Sequence, residues 1–199
     1  MNDNNNRIID PFYGDLKPLD LIQPYRLEMA SKNILPASQM KDHKSLASWW
    51  SSSIMDSILQ DLEMMTTQQQ HHEKVVLNLA SDEYSAVMNP NRLKECGVQY
   101  IKIVFRQEGR VIAVHAKRAR GLMARYVAER GIVNVEDVKG FDLDGYSFVS
   151  SQSSEDSLVF DRKKPEGKPS ATTKKRKGGN NKSSTTTTKT TTSKKSRKR

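Results

Sequence analysis

Between Tyr100 and Gly131 the hydrophobic period of the chain changes from two to between three and four, and this switch restricts the fold more than any other feature. Ile101, Ile103 and Phe105 alternate with Lys102, Val104 and Arg106. Gln107, Glu108 and Gly109 interrupt the run, and Val111 to Val114 resumes an apolar, β-branched one. That pattern predicts two short antiparallel strands, a β-hairpin. Ala119, Leu122, Met123, Tyr126 and Val127 then recur at three and four residues, which gathers them on one side of a helix ending near Gly131. At 100° per residue, Lys117, Arg118 and Arg125 fall on the opposite side with Gly121, Ala124 and Ala128.

Two readings of that helix stand side by side. An amphipathic helix ordinarily turns a charged face to water. Small residues beside cations, however, also let a polyanion approach the backbone closely. From Lys102 to Arg130 there are eight Lys or Arg against the two acids Glu108 and Glu129, a local excess of six positive charges that attracts phosphates.

Charge is unevenly distributed over the 199 residues. The formal +10 divides into +14 for residues 162–199, with 15 basic residues and one acid, and −4 for residues 1–161, with 18 and 22. Residues 163–199 are mostly Lys, Thr, Ser, Gly and Pro, too poor in apolar surface to offset the entropy of ordering, so this tail is expected to be disordered. Its clusters Lys174 to Lys177 (KKRK) and Lys194 to Arg199 (KKSRKR) have the composition of nuclear-localisation signals and of non-specific polyanion binders.

Cys96 is the only cysteine, which excludes an internal disulfide and a thiolate zinc site. No run approaches the roughly 18 apolar residues of a membrane span, and MNDNNNRIID has no apolar signal-peptide centre. These features predict a soluble, intracellular protein with no membrane association.

In chain order, residues 1–9 are expected to be loose and Asp10 to Glu28 irregular, because Pro11, Pro18 and Pro24 break helices and central strands. Lys17, Asp20, Tyr25, Arg26 and Glu28 are the polar candidates there. Met29 to Lys44 reads as a loop. From Ser45, Leu46, Trp50, Ile54, Ile58, Leu62 and Met65 form a helical stripe, with Trp49 and Met55 beside it. Adjacent tryptophans can stack bases, but at helical spacing they read as core. TTQQQHHE (66–73) predicts a surface loop, and His71 and His72 within it suit solvent better than a metal.

Lys74 to Leu79 reads as a buried strand and Ser81-Asp82-Glu83 as a helix start, with Ser81 as the cap and Asn89-Pro90 as the end. Strand-to-helix junctions of this kind hold ligands in α/β folds, which singles out Asn78, Ser81, Glu83 and Tyr84. Capping plus a buried Asn explains the same residues structurally. After Gly131, Asn134 caps a short second helix stopped by Gly140, the outline of a helix-hairpin-helix. Tyr146–Val149 and Leu158–Phe160 predict two closing strands. The class is mixed α/β.

Four ordered blocks resemble the YaaA family of peroxide-stress-response proteins. They are YGDLKPLDLIQPYRLEM (13–29), VVLNLASDEY (75–84), AKRARGLMARYV (116–127) and GFDLDGYSF (140–148), and SLVFDR (157–162) fits as well. The resemblance covers residues 10–162 and excludes the tail. It implies a compact mixed α/β domain with a helix-hairpin-helix-like element and a basic cleft that binds DNA. In the cell it implies a role in limiting iron-dependent oxidative damage. Carried over by position, Lys17, Arg26, Lys117, Arg118, Arg120 and Arg125 would line the cleft, with Asp20, Tyr25, Glu28, Asn78, Ser81, Glu83 and Tyr84 around or beneath it. The resemblance also implies an N-terminal half absent from this sequence, which leaves three alternatives: a fragment of a longer chain, a degenerate copy, or a chain that needs a partner to supply that half. No cofactor is expected.

Two other functions remain open at this point. One is an enzyme for a small phosphorylated or nucleotide-like substrate, with Lys117 and Arg120 on the anion and Glu83, Glu28 or Asp20 moving a proton. The other is direct iron binding by Asp142, Asp144, Glu155, Asp156, His71 and His72, which lack a recognisable ligand spacing.

Overall fold

The computed structural model describes residues 6–36, 38, 39, 42–68 and 73–164. The basic tail from residue 165 and the His71-His72 pair lie outside the described residues.

A small hairpin opens the fold: β1 (Ile8–Asp10) pairs antiparallel with β2 (Gly14–Leu16), Ile8 opposite Leu16. Asp10 shapes the turn, its Oδ1 accepting the backbone N–H of Phe12 (2.8 Å) and of Tyr13 (2.7 Å). Ile8 and Ile9 are therefore strand rather than loose terminus, and Gly14–Leu16 interrupts the expected irregular stretch. The reason is packing: Ile9 joins a buried cluster with Met29, Leu46, Ile54 and Val87. Gly14 has φ +80°, and a Cβ there would lie 2.8 Å from Trp50 Cε3 and Cζ3, so only glycine lets the hairpin meet the indole.

The helix beneath is α1 (Leu46–Gln68). Ile54 and Met55 are fully buried on its apolar stripe, and Trp50 donates its indole N–H to Pro11 O at 3.0 Å. Trp49 meets His43 edge-on, with ring centroids 5.2 Å apart. Both tryptophans are thus structural. α1 also absorbs Thr66–Gln68 from the expected loop, and the Thr66 and Thr67 hydroxyls bond back to the carbonyls of Leu62 and Glu63 at 2.8–3.0 Å.

The main sheet has the order β3 (Lys74–Asn78), β4 (Val98–Gln107), β6 (Ser157–Arg162), β5 (Ser147–Phe148). β3, β4 and β6 are parallel, and β5 is antiparallel to β6. β4 is the centre: residues 98–102 pair with β3, and residues 102–107 with β6. The β3-to-β4 crossover holds α2 (Asp82–Ser85) and α3 (Pro90–Glu95). β4 leads to α4 (Ala113–Arg130), then α5 (Val135–Val138).

α4 covers one face of the sheet. Ala116, Ala119, Met123 and Tyr126 bury against Ile101, Ile103, Phe105, Leu158 and Phe160. Phe105 stacks at 5.0–5.6 Å with Phe141, Tyr146 and Phe160. Each such side chain is worth roughly 1.5–3 kcal/mol when buried, so this layer holds α4 to the sheet. Gly131 ends α4 in the left-handed conformation (φ 59°, ψ 39°), and Asn134 Oδ1 caps α5 through Glu136 N–H at 2.9 Å.

Three local expectations are corrected. The hairpin after β4 closes only one bridge, Gln107 to Arg110, across Glu108 and Gly109 at positive φ. The helix then starts at Ala113, with Ala116 N–H donating to Ile112 O at 2.8 Å. A second strand would have delayed the helix and lost the burial of Ala116. Asn89 and Pro90 begin α3 rather than end α2: Asn89 Oδ1 accepts Arg92 N–H at 3.1 Å, and Pro90 sits where its missing N–H costs nothing. Ser81 makes no side-chain cap, and its carbonyl alone accepts from Tyr84 and Ser85.

Candidate functional site

The sequence-selected residues fall into three groups. The first is the outer face of α4, where Lys117, Arg118, Gly121 and Arg125 are all exposed. Arg118 Nε lies 3.7 Å from Asp144 Oδ2 and Arg125 Nε 2.7 Å from Glu129 Oε1, yet the two side chains remain 71% and 70% exposed. Exposed pairs of this sort contribute about 0–1 kcal/mol. Neither arginine is therefore committed to its carboxylate.

The second group surrounds the end of β3. Asn78 is buried and its Oδ1 accepts Ala80 N–H at 2.9 Å, which turns the chain out of the strand. Four residues on, Asp82 Oδ1 receives Lys102 Nζ at 2.6 Å. The hydrogen bond and charge of Lys102, with a further contribution from Arg120, hold the Asp82 carboxyl below the usual carboxylate range. Arg120 is half-buried, unlike the exposed Lys117, Arg118 and Arg125. Its Nε is buried without a hydrogen-bond partner among the described residues. Tyr100, beside the same carboxylate and hydrogen-bonded to Ser85, has its hydroxyl pushed up, chiefly by burial.

The third group is acidic. Glu83 Oε1 accepts Ala30 N–H at 2.8 Å, tying α2 to the segment after β2. Burial, then the charges of Glu83, Glu28 and Asp10, raise the Tyr84 hydroxyl. Tyr25 donates its hydroxyl to Asp10 Oδ2, and burial followed by that carboxylate pushes it well above the normal phenol range. Tyr25, Glu28, Glu83 and Tyr84 therefore converge, but on carboxylates rather than on cations. Lys17 and Asp20 close a separate exposed turn, Lys17 N–H to Asp20 Oδ2 at 2.8 Å, and Arg26 is exposed beside Tyr25.

Two shallow surface cavities border α1. One is lined by Gln60, Glu63, Met64 and Thr67, the other by Leu59, Leu62, Glu63, Lys74, Cys96 and Val98, and neither involves the cations above. Among the described residues no group of three or more His, Cys, Asp or Glu is arranged to hold a metal ion, and no helix is long and apolar enough to cross a membrane.

Sequence reasoning passed over three residues. Lys102 alternates with core residues, and only the β3 register, Asn78 opposite Lys102, shows what it meets. Arg162 looks like the first residue of the tail. It is buried, with Nε and Nη2 bonded to Gln107 Oε1 (3.2 and 3.1 Å), Nη1 to Asp144, and its guanidinium 4.8 Å from the centre of the Tyr146 ring. Asp10 serves as both turn-former and Tyr25 partner.

Residues 1–152 match the family described as peroxide stress protein YaaA. Curated relatives include UPF0246 proteins from three bacteria. That of Clostridium perfringens is 42% identical over 160 residues, covering 78% of this chain and 58% of the relative. The Aliivibrio fischeri protein is 39% identical over 164 residues (80% and 58%), and the Azoarcus protein is 42% identical over 164 residues (79% and 58%). The chain thus spans about three-fifths of the length of these relatives. With the matched residues covering the N-terminal hairpin, β3, β4, β5, α4 and the junction after β3, the chain belongs to the peroxide stress protein YaaA family.

Proposed function

We propose that this chain is a DNA-binding protein of the peroxide stress response that meets the phosphate backbone with the outer face of α4 and so helps to limit iron-dependent oxidative damage. The supporting observation is the row Lys117, Arg118, Gly121, Arg125: cations exposed to water, spaced by a residue with no side chain, and held only by pairs that phosphates can replace. The order that follows, α4, Gly131 and the four-residue, Asn134-capped α5, has the outline of a helix-hairpin-helix, a unit that offers backbone N–H groups to a phosphate. The DNA would be cytoplasmic or, if KKRK and KKSRKR act as address signals, nuclear.

Anisotropy of a labelled duplex, titrated with salt, tests this. A chain truncated after Lys164, which removes most of the tail's charge, is expected to lose affinity with salt at a log–log slope of about −0.9 per phosphate contact. Replacing Lys117, Arg118 and Arg125 together by Ala should reduce that slope by about 2 to 3. An unchanged slope overturns the reading.

One observation favours a second reading, a site for a small phosphorylated ligand. The buried Nε–H of Arg120 has no partner among the described residues, and the Arg120 charge acts on Asp82, which follows the end of the parallel strand β3, a usual place for ligands in α/β sheets. A saturable thermal shift with inorganic phosphate or nucleotides, lost on Arg120→Gln while the DNA slope is unchanged, would favour it over the first.

A further inference from the structure

Asp144 adopts the left-handed conformation, φ 57°, in the turn Leu143–Gly145. Such backbone is strained for a residue with a Cβ, least so for Asp and Asn, and it persists where the surroundings hold it. Here the holder is Arg162. Its side chain is only 4% exposed, and its Nη1 donates to both the carbonyl (3.3 Å) and the Oδ2 of Asp144. Its Nε and Nη2 are fixed on Gln107 Oε1 at the end of β4, with the Tyr146 ring against the guanidinium.

The same Oδ2 faces a second guanidinium, since Arg118 Nε on the outer face of α4 lies 3.7 Å away. One carboxylate thus serves two cations, and the three side chains together keep one positive charge. Buried Arg162 uses up the charge of Asp144, so Arg118 is oriented without being neutralised. Arg125 differs. Its partner Glu129 lies one turn on along the same helix, and among the described residues no other cation pairs with that carboxylate, so the two charges cancel.

We propose that Asp144 is a positioning residue for phosphate binding: braced by buried Arg162, it sets the guanidinium of Arg118 on the outer face of α4 before a ligand arrives. This role rests on that face being the DNA-contacting surface. An arginine already oriented loses less rotamer freedom when a phosphate reaches it, so its Nη groups bind at lower entropic cost. The consequence is a sign that charge alone cannot produce, because removing this negative charge weakens binding to a polyanion.

The test is anisotropy of a labelled duplex with the full chain at fixed salt. Asp144→Asn keeps an acceptor oxygen and suits a positive φ, and far-UV circular dichroism checks that it is folded. It is expected to weaken binding by about two- to fivefold, and to change nothing further in an Arg118→Ala background. Arg118→Lys keeps the charge, removes Nε and sits at an exposed position, so it folds whatever becomes of Asp144→Asn. It too should weaken binding by about two- to fivefold. Three results overturn the role of Asp144: tighter or unchanged binding by the folded Asp144→Asn chain, an equal loss with Arg118 already replaced, or an Arg118→Lys chain that binds as the parent does. Failure of the DNA reading looks different, because replacing Lys117, Arg118 and Arg125 together would then leave the salt slope unmoved.

Discussion

In β4 the apolar residues Ile101, Ile103 and Phe105 are sealed between α4 and β6, whereas in the segment from Pro18 to Arg26 Leu19 and Leu21 stand almost wholly in water. β4 carries six apolar residues in ten and the segment four in nine. They differ in what lies across from them. β4 has a strand on each side and a helix above it, while the N-terminal segment is held by the Lys17–Asp20 turn, by Gln23 N–H on the Tyr13 hydroxyl and by Tyr25 on Asp10, with Leu19 and Leu21 left exposed. Hydrophobic pattern therefore tells which side of an element seeks cover, and only the complement decides whether it finds it.

The comparison can be broken most directly at its two extremes. Phe105→Ala removes a ring that touches three others and should cost about 3–5 kcal/mol, seen as a lower urea midpoint. Leu21→Ala should move the same midpoint by less than about 0.5 kcal/mol. Equal effects would mean that the segment is packed in solution and that the contrast is false.

Arg162→Met is expected to cost about 3 kcal/mol, because it leaves Gln107 and Asp144 without the buried guanidinium that joins the ends of β4 and β6. Arg118→Met, which removes only the exposed partner of Asp144, should cost under about 1 kcal/mol. The pair separates a buried cation that holds the sheet from an exposed one left available to a ligand.

Lys102→Met should have the smallest effect on stability and a clear effect on titration. The Asp82 pKa is lowered in the folded chain, so its contribution is present above the unfolded carboxylate value of about 3.9 and is lost as pH falls through the lowered value. Without Lys102 the carboxyl should titrate closer to that ordinary value by carbon-detected NMR, and the acid limb of the stability curve should flatten. A carboxyl that stays where it was would assign the shift to Arg120 instead.

Much of the sheet and its covering helix was legible in the sequence. The alternation of β4, the α4 stripe ending at Gly131, the α1 stripe and the pairing of the last two strands all follow periodicity set by burial. Local chemistry was less readable where one residue type serves opposite ends of an element. Asn89-Pro90 stops a helix as readily as it starts one, and Val111 to Val114 has strand composition, yet the return pairs with β4 through the Gln107–Arg110 bridge alone before the helix begins at Ala113. The candidate site was legible in part. The outward cations of α4 stand where the 100° rule puts them. The pairing of Lys102 with Asp82, the acidic surroundings of Tyr25 and Tyr84, and the burial of Arg162 depend on register and crossover, which bring together residues far apart in the chain.

One missing carbon atom carries an unusual share of the architecture. At Gly14 the hairpin rests its bare backbone on Trp50, while the indole holds Pro11 and the neighbouring Asp15 takes a hydrogen bond from Ser57 at 2.7 Å. A methyl group there would act as a wedge, prising the hairpin from the 23-residue helix at three points at once. The exposed Leu19 and Leu21, a few residues beyond β2, would then lose their fixed footing.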